Sequence, residues 1–168
     1  EESVLGSMML SSDAIADVVE IVHPADFYRS ANGSIYQTLR EIYGRGDPVD
    51  AITAVEELKR RSLLAEVGGH LYISELVERV PTPAAAASYA RIVAETALLR
   101  RLISAAGDIM EMAFSPTDEP ERVADQAEQR IYDVARHDEK EQVASLRELV
   151  DQAMTDLEKI QNRESAFA

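Results

Sequence analysis

The 168-residue sequence contains no cysteine and no tryptophan, and aromatic residues make up only 5% of it. Without cysteine, a disulfide framework and a thiolate metal site are excluded, which fits a reducing cytosol, so we expect a cytoplasmic protein. No apolar run approaches the roughly 18 residues of a membrane helix, and no basic segment precedes an apolar one as in a signal peptide. A membrane is therefore not an expected partner.

Basic residues are also scarce, with 17 Lys and Arg against 31 Asp and Glu, a formal charge of -14. Because DNA binding requires a basic face to neutralise phosphates, we expect at most weak contact with single-stranded DNA. The basic clusters Lys59–Arg61 and Arg100–Arg101 have no aromatic residues interleaved with them for base stacking. We interpret both clusters as solvated helix surface. The acidic surplus would instead attract a basic patch on a partner protein.

Sequence motifs for catalysis or metal binding are lacking as well. The histidines His23, His70 and His137 are scattered. Glu20 and His23 have the E-x-x-H spacing of a di-iron bundle, but such a site needs a second copy of the motif, and the sequence has none. Neither H-E-x-x-H nor G-x-S-x-G occurs. We therefore predict no catalytic, cofactor-binding or metal-ligating residue in this segment.

Residues 1–80 have the pattern of several short amphipathic helices, and no stretch alternates long enough to predict a strand. We predict helices over Ser3–Leu10, Ala14–Val22 with Ser12 as N-cap, and Ser34–Tyr43 with Gly44 as C-cap. Thr53 and Glu56 have the spacing of a capping box for a helix that ends at Arg61. The predicted fold is all-α, and its first part is a compact globular head of short helices.

A long protruding helical hairpin is predicted over residues 83–137. Thr82 and Pro83 start its first helix, Ser115–Thr117 forms the turn, and Asp118 caps the return helix. The first helix carries two apolar stripes that together cover about 200° of its surface, whereas packing on a single core needs roughly 100°. One stripe contains Tyr89, Ile92, Leu99, Ile103, Ala106, Met110 and Ala113, and the other contains Leu98, Leu102, Ala105, Ile109 and Met112.

The return helix has a narrower stripe, Ala124, Ala127, Ile131 and Val134, and can cover only part of that surface. We predict that packing within the hairpin uses Ile92, Leu99, Ile103, Ala106, Ile131 and Val134. The remaining stripe, Leu98, Leu102, Ala105, Ile109 and Met112, is then predicted to form an oligomer interface. The sequence does not decide which stripe faces the partner hairpin, and the alternative that both stripes belong to one intramolecular core also stays open.

After the hairpin, residues 138–144 have the composition of a charged, solvated linker. Residues 145–163 form a predicted amphipathic helix that begins at a Ser145–Glu148 capping box. Its apolar face consists of Leu146, Leu149, Val150, Ala153, Leu157 and Ile160. A lone helix beyond a linker cannot bury such a face on itself, so we expect it to dock on a neighbouring subunit.

Five strings, in this order, resemble the N-terminal domain of bacterial replicative DNA helicases of the DnaB-like family. The chain also starts without Met and ends directly after a predicted helix, as expected for part of a longer protein. The strings cover nearly the whole chain and lie at residues 2–6 (ESVLG), 26–28 (DFY), 47–50 (DPVD), 66–69 (EVGG) and 89–103, where YARIV is followed by ALLRRLI.

The resemblance implies a collar in which hairpins pair into dimers and three dimers form a hexamer. It also implies primase as a partner, a helicase loader as a further candidate, and docking of the 145–163 helix on an adjacent motor domain. The chain lacks the P-loop pattern G-x-x-x-x-G-K-[ST]. ATPase and unwinding activities, with their ATP and Mg²⁺, therefore belong to a motor domain outside this segment.

A second interpretation is a stand-alone helical regulatory or DNA-binding protein of the helix-turn-helix type. That class needs a basic recognition helix. The most basic candidate, Val55–Arg61, also carries Glu56 and Glu57. An enzyme is the third interpretation, and it lacks a nucleophile–base pair or a ligand set.

Overall fold

The computed structural model describes residues 1–114 and 119–136. Within these residues every regular element is helical, which confirms the predicted all-α class. Two 3₁₀ turns, Pro24–Asp26 and Pro83–Ala85, lie between consecutive α-helices. The α-helices are α1 (Glu2–Leu10), α2 (Ser12–Val19), α3 (Ser30–Gly44), α4 (Ala51–Arg60), α5 (Gly69–Glu78), α6 (Ala86–Phe114) and α7 (Pro120–Ala135).

Two compact units divide the chain between Arg100 and Arg101, within the continuous helix α6. The first unit contains α1 to α5 and the first half of α6. Its aliphatic core includes three alanines and one valine of α6. These buried residues of the first unit are Ala86, Ala90, Val93 and Ala97.

Helix α1 lies at the centre of the first unit, and every residue from Val4 to Met9 is buried. It packs most closely against α5 at Gly6. A Cβ atom built on Gly6 would lie 2.1 Å from the carbonyl oxygen of Leu76 and 2.3 Å from Cγ2 of Val80. Glycine therefore permits a helix–helix approach at this point that a larger residue would prevent.

The helix caps differ from the predicted ones by one to three residues. Ser11, not Ser12, caps α2, since its side chain accepts the N–H of Ala14. For α4 the capping box is Asp50 with Thr53, not Thr53 with Glu56: Asp50 Oδ1 accepts the N–H groups of Ile52 and Thr53 at 2.9 and 2.8 Å. Asp50 is the N-cap because its carboxylate accepts hydrogen bonds from two backbone N–H groups at once.

The residues that end the helices at their C-termini also differ from the predicted ones. Gly44 still belongs to α3, and the left-handed backbone conformation follows later, at Gly46 (φ +76°). After α4, Ser62 adopts φ +61°, and the Leu63 N–H donates to the Leu58 carbonyl at 2.9 Å, as in a Schellman motif. A non-glycine residue thus occupies a left-handed position at the end of α4.

Several predictions fall outside the described residues. They are the turn at 115–117 and its Asp118 cap, the charged linker 138–144, and the 145–163 helix with its face of Leu146, Leu149, Val150, Ala153, Leu157 and Ile160. In the described part of the chain, no helix combines the length and apolarity needed to cross a bilayer.

Candidate functional site

The second unit, described over residues 101–114 and 119–136, consists of the end of α6 and helix α7. Within those ranges Ala105 is a buried hydrophobic residue, whereas no residue of α7 is buried. Helix α7 is nevertheless amphipathic, with Ile131 46% exposed and Val134 half-buried. Among the residues that the structure describes, the amphipathic helix α7 therefore has no buried face, and this unit leaves apolar side chains exposed.

The exposed apolar surface of α6 follows the first predicted stripe. Ile103 is 72% exposed and Met110 is 59% exposed, and Ala106 between them is exposed as well. In the first unit, Ile92 and Leu99 of the same helix are about 60% exposed. At roughly 100° per residue, Ile103 and Met110 of the second unit lie on the side of α6 away from Ala105, which is buried. We call Ile103, Ala106 and Met110 the exposed stripe.

The second predicted stripe is less accessible. Leu98 and Leu102 are 39% and 38% exposed, Ile109 and Met112 are half-buried, and Ala105 is 5% exposed. The predicted roles, in which the Leu99–Ile103 side packs within the hairpin and the Leu102–Ala105 side faces a partner, stay predictions.

Polar side chains of α6 and α7 lie close together on the Ala105 side of α6. Arg130 Nη1 lies 3.7 Å from Asp108 Oδ2, and a shallow pocket lies between the helices on the Ala105 side. Its lining comprises Arg101, Ser104, Ala105, Asp108, Arg130, Asp133 and Val134. The sequence prediction rested on apolar periodicity, which carries no information on these polar contacts.

A second feature, in the first unit, combines arginine and tyrosine side chains. The Arg100 guanidinium carbon lies 5.6 Å from the ring centroid of Tyr28, and that of Arg29 lies 5.1 Å from the ring centroid of Tyr72. Both distances fit cation–π contacts. Tyr28 is 77% exposed. We call Tyr28, Arg29, Tyr72 and Arg100 the Arg–Tyr surface.

Hydrogen bonds hold this surface in place. Arg100 Nη2 donates to the carbonyl oxygen of Asp26 at 2.6 Å, which fixes the guanidinium against the loop that carries Tyr28. The Tyr72 hydroxyl donates to Oδ1 of buried Asn32 at 2.7 Å. Burial raises the pKa of Tyr72 above its ordinary value, so the hydroxyl stays protonated at neutral pH.

Two carboxylates, those of Glu1 and Glu2, lie near the Arg–Tyr surface. Glu1 accepts the backbone N–H of Tyr28 and the side-chain amide of Asn32. Glu2 pairs with Arg79 at 2.7 Å and more loosely with Arg29 at 3.9 Å. Among the described residues, no carboxylate lies within ion-pair distance of Arg100. Sequence inspection missed this surface because Tyr28 and Arg100 are separated by 72 positions.

The basic cluster Lys59–Arg61 has a structural partner in Glu57. Arg60 Nη2 and Arg61 Nε donate to Glu57 Oε1 at 2.6 and 2.7 Å, and Arg61 also pairs with Glu41. The hydrogen bond from Arg60, assisted by Arg61, lowers the pKa of Glu57 to about 2 against the opposing effect of burial. Within the described ranges, no group of three metal-ligating side chains occurs.

Comparison with known proteins identifies the family. The family model described as DnaB-like helicase N terminal domain matches residues 1–95, more than half of the chain. The chain belongs to the DnaB-like helicase N-terminal domain family. The resemblance of the five sequence strings is thereby confirmed.

Two relatives in this family are similar in sequence to this protein over nearly the whole chain. The replicative DNA helicase DnaB of Mycobacterium leprae is 44% identical over 162 residues, which are 95% of this chain and 27% of that protein. Its counterpart from Geobacillus stearothermophilus is 35% identical over 164 residues, 98% of this chain and 36% of that protein. The chain therefore spans about a quarter to a third of the length of these relatives.

A solved structure of the family supports the fold. The N-terminal domain of DnaB helicase from Mycobacterium tuberculosis is similar with a TM-score of 0.74 and 48% sequence identity. The match covers 79% of this chain and 93% of that one. At this identity the all-α fold of the described residues is that of the DnaB N-terminal domain.

Proposed function

We propose that this domain forms the N-terminal collar of a hexameric replicative DNA helicase, in which it mediates self-association and recruits primase. Membership of the DnaB-like family supports the assignment to a replicative helicase, and the exposed stripe supports the self-association. Ile103 and Met110 expose large apolar side chains on α6, and α7 beside them buries none of its residues. A contiguous apolar surface of this kind is typical of a protein–protein interface.

The interface is proposed to centre on Ile103, Ala106 and Met110, together with the apolar residues of α7. In a two-fold dimer these side chains of one copy would contact their equivalents in the other. Three such dimers would then form the ring. ATP hydrolysis and unwinding are assigned to a motor domain of the whole protein, since these 168 residues contain no P-loop pattern.

Sedimentation over a concentration series tests the self-association. The 18.6 kDa chain should sediment at twice that mass or at a larger even multiple. Ile103→Asp should weaken the dimer by about 100-fold or more, because a symmetric interface carries the buried carboxylate twice. Ile52→Asp is the matched control, since Ile52 is 76% exposed on α4, and this variant should keep the wild-type mass.

Leu102→Asp distinguishes the two faces of α6. Leu102 is 38% exposed against 72% for Ile103, so its substitution should weaken the dimer less. If Leu102→Asp is monomeric and Ile103→Asp remains dimeric, the stripe that contains Leu102 forms the interface, as predicted from the sequence. A wild-type chain that stays monomeric at every concentration would contradict the proposal.

Primase recruitment has a separate test. The chain carries a formal charge of -14, which would favour a basic patch on its partner. Affinity for the cognate primase, measured by calorimetry, should fall as salt is raised from 50 to 500 mM. An affinity that is independent of salt would contradict the electrostatic part of this proposal, and absence of binding would contradict the whole of it.

A further inference from the structure

We propose that the Arg–Tyr surface of one copy binds the acidic end of a second copy, by which we mean Phe114, Glu119 and Glu121. This inference rests on the proposed self-association and adds a contact to the exposed stripe. Phe114 ends α6 and is 81% exposed, and α7 begins at Pro120, a few residues later in the chain. The acidic end therefore combines an exposed aromatic ring with carboxylates, whereas the Arg–Tyr surface combines exposed aromatic and basic side chains.

The two surfaces carry opposite charge. Arg29 and Arg100 supply the positive charge of the Arg–Tyr surface. Glu119 is the N-cap residue of α7 and Glu121 lies in its first turn, and both are exposed. The sequence from residue 111 to residue 121 contains four acidic residues and no lysine or arginine. Because the whole chain has a formal charge of -14, most of its surface repels such a segment, and a basic surface is where it can bind.

The aromatic rings add an apolar contact to the electrostatic one. Tyr28 is 77% exposed, and a phenylalanine ring packed against it would bury apolar area of both rings. The Asp26 carbonyl and the Tyr28 ring hold the Arg100 guanidinium in place, which lowers the ordering cost of binding. An acidic partner without an aromatic side chain would leave the exposed Tyr28 ring uncovered.

The register of α6 indicates that the acidic end comes from a second copy of this chain. In a two-fold pair of antiparallel helices, positions equally distant from the symmetry axis lie side by side. Arg100 and Phe114 each lie seven positions from Gly107 on the continuous helix α6, and Gly107 adjoins Ala106 in the middle of the exposed stripe. An antiparallel pair that buries the exposed stripe therefore brings Phe114 of each copy beside Arg100 of the other.

Charge and packing both favour this antiparallel pair. A parallel pair would place the acidic ends of both copies side by side, and like charges in contact oppose association. Gly107 lies inside α6, where glycine lowers helix stability, and among the described residues nothing lies within 4 Å of a Cβ atom built on it. Its own chain thus gives it no packing role, whereas a glycine lets a second helix approach closely at a crossing point.

Sedimentation of charge-reversed variants of the 168-residue chain, alone and mixed, tests the proposal. Arg100→Glu should weaken the dimer roughly 10-fold, because a two-fold dimer contains the reversed contact twice. The double variant Glu119→Arg, Glu121→Arg should weaken it similarly. An equimolar mixture of both variants should regain wild-type affinity, since every contact between the two different chains then joins opposite charges. A double variant whose α7 had only lost its structure would not be restored by mixing.

Arg91→Glu is the matched control, since it reverses another exposed arginine of α6. It should dimerise as the wild type does, and mixing it with the double variant should restore nothing. If Ile103→Asp weakens the dimer but Arg100→Glu and the double variant do not, this contact is wrong and the self-association stands. A mixture that regains no affinity, or an equal loss in Arg91→Glu, would also overturn it. A wild type that is monomeric at every concentration would contradict both proposals.

Discussion

Replacement of Gly6 by alanine should destabilise the first unit, although alanine is the better helix former. The substitution gains about 0.5–1 kcal/mol in helix propensity. Against this, the new Cβ would lie 2.1 Å from the Leu76 carbonyl oxygen and 2.3 Å from Val80 Cγ2. Overpacking of a core costs about 1–3 kcal/mol, and the upper end applies here because backbone atoms cannot rotate away.

The net loss is therefore about 2 kcal/mol, equivalent to a decrease in Tm of roughly 8–16 °C for a unit of this size. Thermal unfolding followed by circular dichroism measures it. Gly44→Ala is the matched control, since nothing lies within 4 Å of a Cβ at that position in α3, and it should raise Tm by a few degrees. If both variants raise Tm, the close approach of α1 and α5 inferred from Gly6 is wrong.

Two further predictions concern α4. Ser62→Gly should stabilise the first unit by about 1 kcal/mol, because Ser62 has φ +61° and glycine adopts that conformation without penalty; a urea midpoint that falls would refute this. The pKa of Glu57 is lowered from an ordinary value of 4.5 to about 2, so its stabilising effect is complete above about pH 4.5 and is lost as the pH falls towards 2. Glu57→Gln should therefore lower the urea midpoint at pH 7 and flatten its acid dependence, and an unchanged pH profile would contradict the role given to Arg60 and Arg61.

Helical periodicity was sufficient to predict most of the first unit. The stripe of Ile35, Leu39 and Ile42 predicted α3, and all three residues are buried. Caps were less predictable, because several Ser, Thr and Asp residues adjoin each helix start and compete for the same backbone donors. The choice between Ser11 and Ser12, or between Asp50 and Thr53, depends on backbone dihedrals that composition does not fix.

The candidate surfaces were harder to predict, for two physical reasons. Both stripes of α6 are apolar, so a hydrophobic pattern does not show which of them α7 covers, nor does it reveal polar contacts such as that of Arg130 with Asp108. The Arg–Tyr surface depends on contacts between side chains far apart in the sequence. Residue types can suggest a cation–π pair, but only the fold determines which arginine reaches which ring.

Four of the five strings that carry the family resemblance coincide with places where the local structure restricts the choice of residue. Gly6 ends the first string and lies at the closest approach of α1 to α5. Asp26 begins the second, and its carboxylate accepts the His23 N–H at 2.9 Å. Asp50 ends the third and caps α4, while Gly68 and Gly69 of the fourth have φ +108° and +74°.

These residues differ from hydrophobic residues of the core in how few other residues can replace them. A core leucine can be exchanged for another apolar residue of similar volume at modest cost, whereas a left-handed glycine or a capping aspartate has few substitutes. Four of the five strings that identify the family therefore lie at caps, turns or a close approach of two helices. The fifth, residues 89–103, lies within α6 and contains Ile103, whose role is tested by the sedimentation experiment proposed for it.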